Sequence, residues 1–362
     1  MKVLIVTAIY PTADNPAFGS YVRTQAESLQ AAGIDVEMLV LKDRYRKLIY
    51  PKAILQLRRR LASSPIDLVH AHYGFVGMVA RTQWKVPVVV TYHGSDILGW
   101  INSRGERERL GAIIASAGRM LARCVDAAIV QSQEMAGTIH RANPYVIPHE
   151  VDFKIFHPTG REQARAVLGL EPCKKYMLFA ANPKVGVKRF PLADAVAKRL
   201  ANQDPCLELL VVSKETQQRL ALYMSACDVL IFPSYQEGSP NIVKQAMACN
   251  LPIVSTDVGD VRQVIGSTKD CYVCKPTVPE FAARISEILV HRRRTDGRER
   301  IRHLESSSVA QKVIEVYEEV LRKQDRHAKA KRPPFADLLN VLRRRDIPKA
   351  REAVTVETTN ES

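Results

Sequence analysis

The sequence predicts an α/β protein of two domains, each built on a parallel sheet, with the two sheets facing a central cleft. Three observations carry this. Short β-branched runs alternate with longer helical patterns from residue 3 to residue 130. The same alternation restarts near residue 175. Between the two lies a proline-bearing stretch, Pro144 to Pro172, with little periodicity. Strand–helix–strand alternation builds parallel sheets covered by helices on both faces, and 362 residues suffice for two such domains. Both halves are therefore expected to be Rossmann-like.

In the first half, Val3–Thr7, Val36–Leu41, Ile66–His70, Val86–Tyr92 and Asp126–Val130 read as buried strands. Ser20–Ala32, Pro51–Leu61, Phe75–Thr82 and Arg107–Arg123 read as helices, with Gly33 placed to end the first. In the second half the strands are Tyr176–Ala180, Leu207–Val212, Val229–Phe232 and Ile253–Ser255. Its helices are Pro191–Leu200, Gln217–Ala226, Pro240–Ala248, Pro279–Leu289 and Ser308–Lys323. These give a first domain over 1–155, a linker over 156–174, a second domain over 175–325 whose last helix is free to pack back on the first, and a basic, polar tail over 326–362. Within the tail, Phe335–Arg345 has the pattern of a short basic amphipathic helix.

Composition narrows the function classes. Apolar residues make up 46% and charged residues 25%, as in ordinary globular chains. No uncharged apolar run reaches the ~18 residues of a membrane span. Met1–Thr7 reads as a buried strand rather than a leader, so a cytoplasmic location is expected. The seven cysteines, odd in number and irregularly spaced, read as reduced thiols, and Cys271 and Cys274 as packing residues. The net charge of +15 calls for an anionic partner. Part of it is clumped between Lys42 and Arg60, where Arg44, Arg46, Lys47, Lys52, Arg58 and Arg59 alternate with tyrosines and aliphatics. That mixture suits a surface helix on anionic lipid headgroups and a peripheral position on the inner membrane face; a solvated basic face is the plainer reading. Nothing resembling a helix-turn-helix, zinc finger or RNP pattern accompanies the charge, which argues against nucleic acid.

The chemistry gathers in Asp228–Pro252. No G-x-G-x-x-G follows the first strand and no G-x-x-x-x-G-K-[ST] occurs, so nicotinamide and P-loop enzymes lack support. Instead a buried strand ends in Pro233-Ser234-Tyr235-Gln236-Glu237-Gly238-Ser239-Pro240-Asn241 and a helix begins. Ser239 is placed to cap that helix and Pro240 to open it, and its N-terminus offers N–H groups to a phosphate or a sugar hydroxyl. Capping alone does not explain a carboxylate, Glu237, just ahead of the helix mouth.

The stretch E-G-S-P-N-x-V-K-x-A-M-A, followed by Pro-Ile-Val-Ser-Thr-Asp-Val-Gly, resembles the donor-site motif of the retaining glycosyltransferase family 4. By order of elements the resemblance covers about residues 1–320. It implies the GT-B fold and a hexosyltransferase-like enzyme that uses a nucleoside diphosphate sugar. It implies that Glu237 holds hydroxyls of the donor sugar, with Gly238, Ser239, Pro240 and Asn241 around it. The family's second glutamate, eight positions on, meets the ribose; here Gln245 stands in its place. Glutamine still accepts a hydrogen bond, without the strength of a charge-assisted one. After the second domain's first strand the resemblance assigns Lys188, with Arg189 beside it, to the donor pyrophosphate, while Asn182 takes the place of the family's loop arginine. Gly19 falls in the glycine-bearing loop near the donor phosphate, and His93 on the residue implied to touch the donor sugar. Asp96 and His72 are further cleft candidates, and His70 reads as structural.

These readings predict transfer of a sugar from UDP- or GDP-sugar to an acceptor hydroxyl with retention. Fixed cations would stabilise the leaving diphosphate, and no cofactor or metal is expected. The acceptor would be lipid-linked or a polysaccharide, in cell-surface polysaccharide or glycolipid assembly. Two alternatives stay open on the sequence alone: an inverting GT-B transferase with His93 or Asp96 as base, and a non-catalytic GT-B scaffold, motivated by Gln245.

Overall fold

A computed structural model describes residues 1–41 and 49–330. The first half contains β1 (Lys2–Thr7), α1 (Ser20–Ala31), β2 (Asp35–Val40), α2 (Ile49–Ser63), β3 (Leu68–His72), α3 (Gly74–Ala80), β4 (Val88–Thr91), α4 (Ser95–Leu98), α5 (Arg109–Leu121), β5 (Ala127–Val130), α6 (Gln133–Thr138) and β6 (Tyr145–Val146). The second contains α7 (Arg161–Leu168), β7 (Lys175–Phe179), α8 (Phe190–Ala201), β8 (Leu207–Val211), α9 (Gln217–Ala226), β9 (Val229–Phe232), α10 (Asn241–Ala248), β10 (Ile253–Ser255), α11 (Val261–Ile265), β11 (Cys271–Val273), α12 (Val278–His291), α13 (Gly297–Arg300) and α14 (Ser306–Ala330).

All named strands pair in parallel. The first sheet has the order β2-β1-β3-β4-β5-β6 and the second β11-β10-β9-β7-β8. In each, the earliest strand lies between the next two, so the strand order reverses beside β1 and beside β7. Such switch points open a crevice at the carboxyl ends of the strands. Helices cover both faces of each sheet, which is why β1, β4, β5, β7 and β9 are runs of buried, mostly apolar residues rather than alternating patterns. On one face of the first sheet Val3 and Ile5 share a core with Val22 and Leu29 of α1. Val309, Val313 and Tyr317 of α14 join the same core, so that helix covers the first sheet. On the other face Leu4 and Val6 pack with Leu57 of α2 and Val76 of α3.

Three differences from expectation bear on the site. β3 lies two residues later than expected, because Val3 pairs with Leu68 and Asp67 turns its carboxylate to the Lys2 backbone N–H at 2.7 Å. His72 is thereby the last residue of a buried strand rather than a loop residue beyond it. The stretch read as a linker carries α7, whose Arg165 is buried and donates to Asp228 at 3.0 Å and to three backbone carbonyls. The short elements β6, α4, α6 and β11 span two to six residues, too few to show a period. Cys271 and Cys274 are buried free thiols, and burial pushes them up to about 12 and about 11. Lys42, Arg44, Arg46 and Lys47, and the expected helix at 335–345, lie outside the described residues. Among the described residues no helix is long and apolar enough to cross a membrane.

Candidate active site

Both sheets belong to one compact unit, residues 1–320. The loops leaving their carboxyl ends meet. A Cβ on Gly94, after β4, would lie 3.1 Å from Gly238 N and Cα, after β9. Gly94 also has φ 106°, which side chains rarely adopt, so two backbones touch here only because both residues are glycine. Gln217 of α9 reaches Thr24 of α1 at 3.4 Å across the same divide. Between the sheets lies a cavity of about 290 Å³, lined from the first by His93, Gly94, Leu98 and Trp100 and from the second by Val187, Glu237 and Gly238.

Glu237 and Lys188 form the charged pair of this cleft. Lys188 Nζ donates to Glu237 Oε1 at 2.6 Å, with side chains 28% and 16% exposed, so both charges remain within reach of a ligand. The pair closes two loops, after β7 and β9, which Tyr235 N also ties together by donating to the Val187 carbonyl at 2.9 Å. Arg189 caps the start of α8 with φ 53°. Its guanidinium sits over the Tyr235 ring at 4.4 Å and donates to the Pro276 carbonyl, so its contacts lie beside the Lys188–Glu237 pair rather than in it.

The helix after Glu237 starts one residue later than expected. Pro240 occupies the cap position, Asn241 is the first helical residue, and no side chain caps the end. Ser239 is not the cap because its hydroxyl is taken elsewhere. It donates to Asp260 Oδ2 at 2.6 Å and accepts from Lys244 Nζ, which is 3.0 Å from the same carboxylate. Lys244 is fully buried, and burial lowers its pKa against the pull of Asp260. This buried ion pair ties the Glu237–Ser239 loop to the turn after β10. Gln245, on the same helix, is half-buried and has no side-chain hydrogen bond to a described residue. Asn241 Oδ1 is buried without a partner among the described residues.

Gly19 is required by the fold itself. It has φ 67°, and a Cβ there would stand 2.7 Å from the Ile9 carbonyl carbon.

His93 is held from behind. Its Nε2 lies 3.1 Å from His72 Nδ1, and its Nδ1 lies 3.0 Å from Gln131 Nε2 and 3.2 Å from His149 Nε2. An amide donor on Nδ1 leaves the proton on Nε2, directed at His72. Both ring nitrogens are thus engaged inside the first domain, and what His93 turns toward Gly238 is its carbonyl oxygen. His72 is buried against His70, whose nitrogens reach the hydroxyls of Tyr317 at 2.6 Å and Thr91 at 2.7 Å. Burial lowers the pKa of all four histidines, that of His72 to about 3, so the column is neutral at neutral pH. Asp96 is buried and accepts from the backbone N–H groups of His93 and Gly74. Burial raises it to about 6 against those bonds. The structure therefore lines the cavity with Glu237, Gly238 and His93, holds Lys188 against Glu237, and sets His72 and Asp96 behind them.

Sequence reasoning missed the Lys244–Asp260–Ser239 network and the partners of His93. A lysine among Val243, Ala246 and Met247 on the apolar face of a helix was the available signal for the first, because a buried cation needs an acid. Gln131 and His149 follow β5 and the two-residue β6, and nothing in their spacing points to His93.

Comparison with known proteins agrees with this architecture. Residues 18–154 match a family model described as glycosyltransferase family 4, and residues 189–291 one described as glycosyl transferases group 1. A putative teichuronic acid biosynthesis glycosyltransferase, TuaC of Bacillus subtilis, is 25% identical over 79% of this chain and 88% of its own length. A D-inositol 3-phosphate glycosyltransferase of Mycobacterium marinum is 28% identical over 64% of this chain, which spans only 58% of that protein. Among solved structures, a sucrose-phosphate synthase of Thermosynechococcus elongatus superposes with TM-score 0.73 at 21% identity, over 89% of this chain and all of the other. Anabaena HepE in complex with UDP and glucose gives 0.63 at 16%, over 88% of this chain and all of its own. Fold and matches together define a GT-B glycosyltransferase that depends on a nucleotide sugar. Within that class the chain is similar to the group 1 glycosyl transferases in its second half and to glycosyltransferase family 4 in its first.

Proposed function

We propose that this enzyme transfers a sugar from UDP- or GDP-sugar to an acceptor hydroxyl with retention of configuration, without a metal, in assembly of a cell-surface polysaccharide or glycolipid. The observation that carries the reading is Glu237, which lines a cavity between two switch points and holds the Lys188 ammonium at 2.6 Å. As the bond from the anomeric carbon to the β-phosphate oxygen breaks, the diphosphate gains negative charge. Lys188 supplies a fixed cation there, and its ammonium has three donors, enough to serve diphosphate and Glu237 together. Glu237 accepts hydroxyls of the donor sugar and fixes its orientation. The acceptor hydroxyl attacks from the face the diphosphate leaves, and its proton passes to the departing phosphate oxygen. Gly238, Ser239, Pro240 and Asn241 form the surrounding wall, Gln245 receives a ribose hydroxyl, and Arg189 and Gly19 lie at the edge of the diphosphate site.

An inverting route needs a side-chain base. The two candidates argue against it: both nitrogens of His93 are engaged, and Asp96 is buried on backbone N–H groups. The acceptor class is suggested by the relative named for teichuronic acid biosynthesis. The test is a panel of nucleotide sugars with the anomeric configuration of the product read by NMR. Turnover of a UDP- or GDP-sugar to a product of unchanged configuration, insensitive to chelator, is expected. An inverted product, activity lost to chelator and restored by magnesium, or failure to bind UDP and GDP would each overturn the proposal in the corresponding part.

A further inference from the structure

α5 exposes what a soluble helix normally hides. Its inner face is made of small residues, Gly111, Ala115 and Gly118, which let it lie directly on the backbone of Trp100 and Asp96. Its outer face carries Leu110, Ile113 and Met120, exposed by 58%, 67% and 67%. Spaced at i, i+3 and i+10, they form one stripe along the helix. A further exposed aromatic is linked to the chain just past the helix through Arg81. Trp84 is 76% exposed with the Arg81 guanidinium stacked on it at 3.5 Å, and Arg81 is paired with Asp126, just beyond α5. Exposed Arg109 and Arg123 stand at the two ends of the stripe. Ahead of the helix lie Glu106, held by Asn102 at 2.9 Å, and Glu108.

We infer that this face, the α5 stripe with Trp84, is a docking surface for an anionic lipid bilayer. Four large exposed apolar side chains are no asset to a free surface and match the buried side of an interfacial helix, with arginines at headgroup level. Charge selects the occupant. A second copy on the same face would bring Arg109 and Arg123 of both copies together in a chain of net charge +15, whereas anionic headgroups complement them. Nucleic acid would meet the arginines and leave Leu110, Ile113 and Met120 in water. The position also has a use. α5 packs on the segment that ends in Leu98 and Trp100, and these two line the cavity, so a bilayer held by α5 lies next to the cavity mouth. The surface differs from the basic stretch Lys42–Arg60 that the sequence singled out, and its binding does not depend on the identity of the sugar donor.

The experiment is co-sedimentation of the full chain with vesicles of phosphatidylcholine alone or mixed with phosphatidylglycerol. Three proteins are compared: wild type, Leu110→Ser/Ile113→Ser/Met120→Ser, and Arg109→Glu/Arg123→Glu. Thermal unfolding checks that each is folded, and light scattering gives the oligomeric state. Binding to the mixed vesicles, with a loss of roughly tenfold or more in each variant, is expected. The inference is overturned if wild type does not bind, if both variants bind like wild type, or if wild type is a dimer that the serine variant converts to monomer.

Discussion

Replacing Glu150 by glutamine should make the protein more stable at neutral pH. The Glu150 carboxyl is buried. One oxygen accepts from the Ser28 hydroxyl at 3.0 Å, the other is without a partner among the described residues, and Glu305 and Asp152 add negative charge nearby. Burial first, then those acids, pushes its pKa up from 4.5 to about 8. Between these values the native protein holds a proton that the unfolded chain has released. Its favourable contribution is therefore complete below about 4.5 and is lost as pH rises toward about 8. At pH 7 the native state has forgone ~2.5 units of unfolded-state ionisation, ~3 kcal/mol, and at pH 5 only ~1 kcal/mol. Glutamine has the shape of the protonated acid and nothing to ionise, so Glu150→Gln should recover these amounts. At ~2–4 °C per kcal/mol the Tm at pH 7 should rise by roughly 6–12 °C, and by only a few degrees at pH 5. Thermal unfolding followed by circular dichroism at the two pH values measures both. A Tm that does not rise at pH 7, or a gain equal at both pH values, would refute the reasoning.

The histidine column works in the opposite direction. His72 is held neutral, with its pKa lowered from 6.5 to about 3, so its contribution is present above 6.5 and is lost as pH falls. Between pH 7 and pH 5 that loss is ~2 kcal/mol, which Glu150 masks in the wild type. Asp96, raised to about 6, offsets ~1 kcal/mol of that loss, so in the Glu150→Gln background the Tm should still fall by a few degrees over this interval, and a rise would contradict a neutral column. Lys244→Met strands the Asp260 carboxylate in the interior and should cost about 3–5 kcal/mol in a denaturant titration. Lys244→Met/Asp260→Leu should cost clearly less than the single variant, and equal losses would mean the pair is not coupled. Gln245→Glu should tighten the nucleoside diphosphate by about tenfold in calorimetry, since it adds a charged acceptor where no side-chain bond exists among the described residues. Unchanged or weaker binding would mean that the ribose lies elsewhere.

The architecture was legible because burial on both faces of a parallel sheet leaves aliphatic runs that need no partner to be recognised. β9 and β10 were read to the residue for that reason. The site was legible where one loop carries its own chemistry, as at Glu237-Gly238-Ser239. It was not legible where function depends on who stands behind a residue. The spacing of His93 says nothing of Gln131, His149 or the hydroxyl of Tyr317 on α14, 224 positions away in numbering and covering the same sheet. Ser239 looked like a helix cap because the local pattern is that of one. Lys244, a turn further on, takes its hydroxyl instead, a tertiary choice that local pattern does not encode. The membrane reading moved for a similar reason. Charge drew it to Lys42–Arg60, whereas the apolar stripe of α5 stands out only once its inner face is seen to be glycine and alanine.

The account rests most on Lys188 as the cation that receives the leaving diphosphate. Single-turnover release of nucleoside diphosphate from the preferred nucleotide sugar, in wild type and Lys188→Met, tests it most directly. The chemical step should slow by about a hundredfold or more, with the sugar still bound through Glu237. A variant that turns over within a few-fold of wild type would contradict the assignment of this cleft as the donor site.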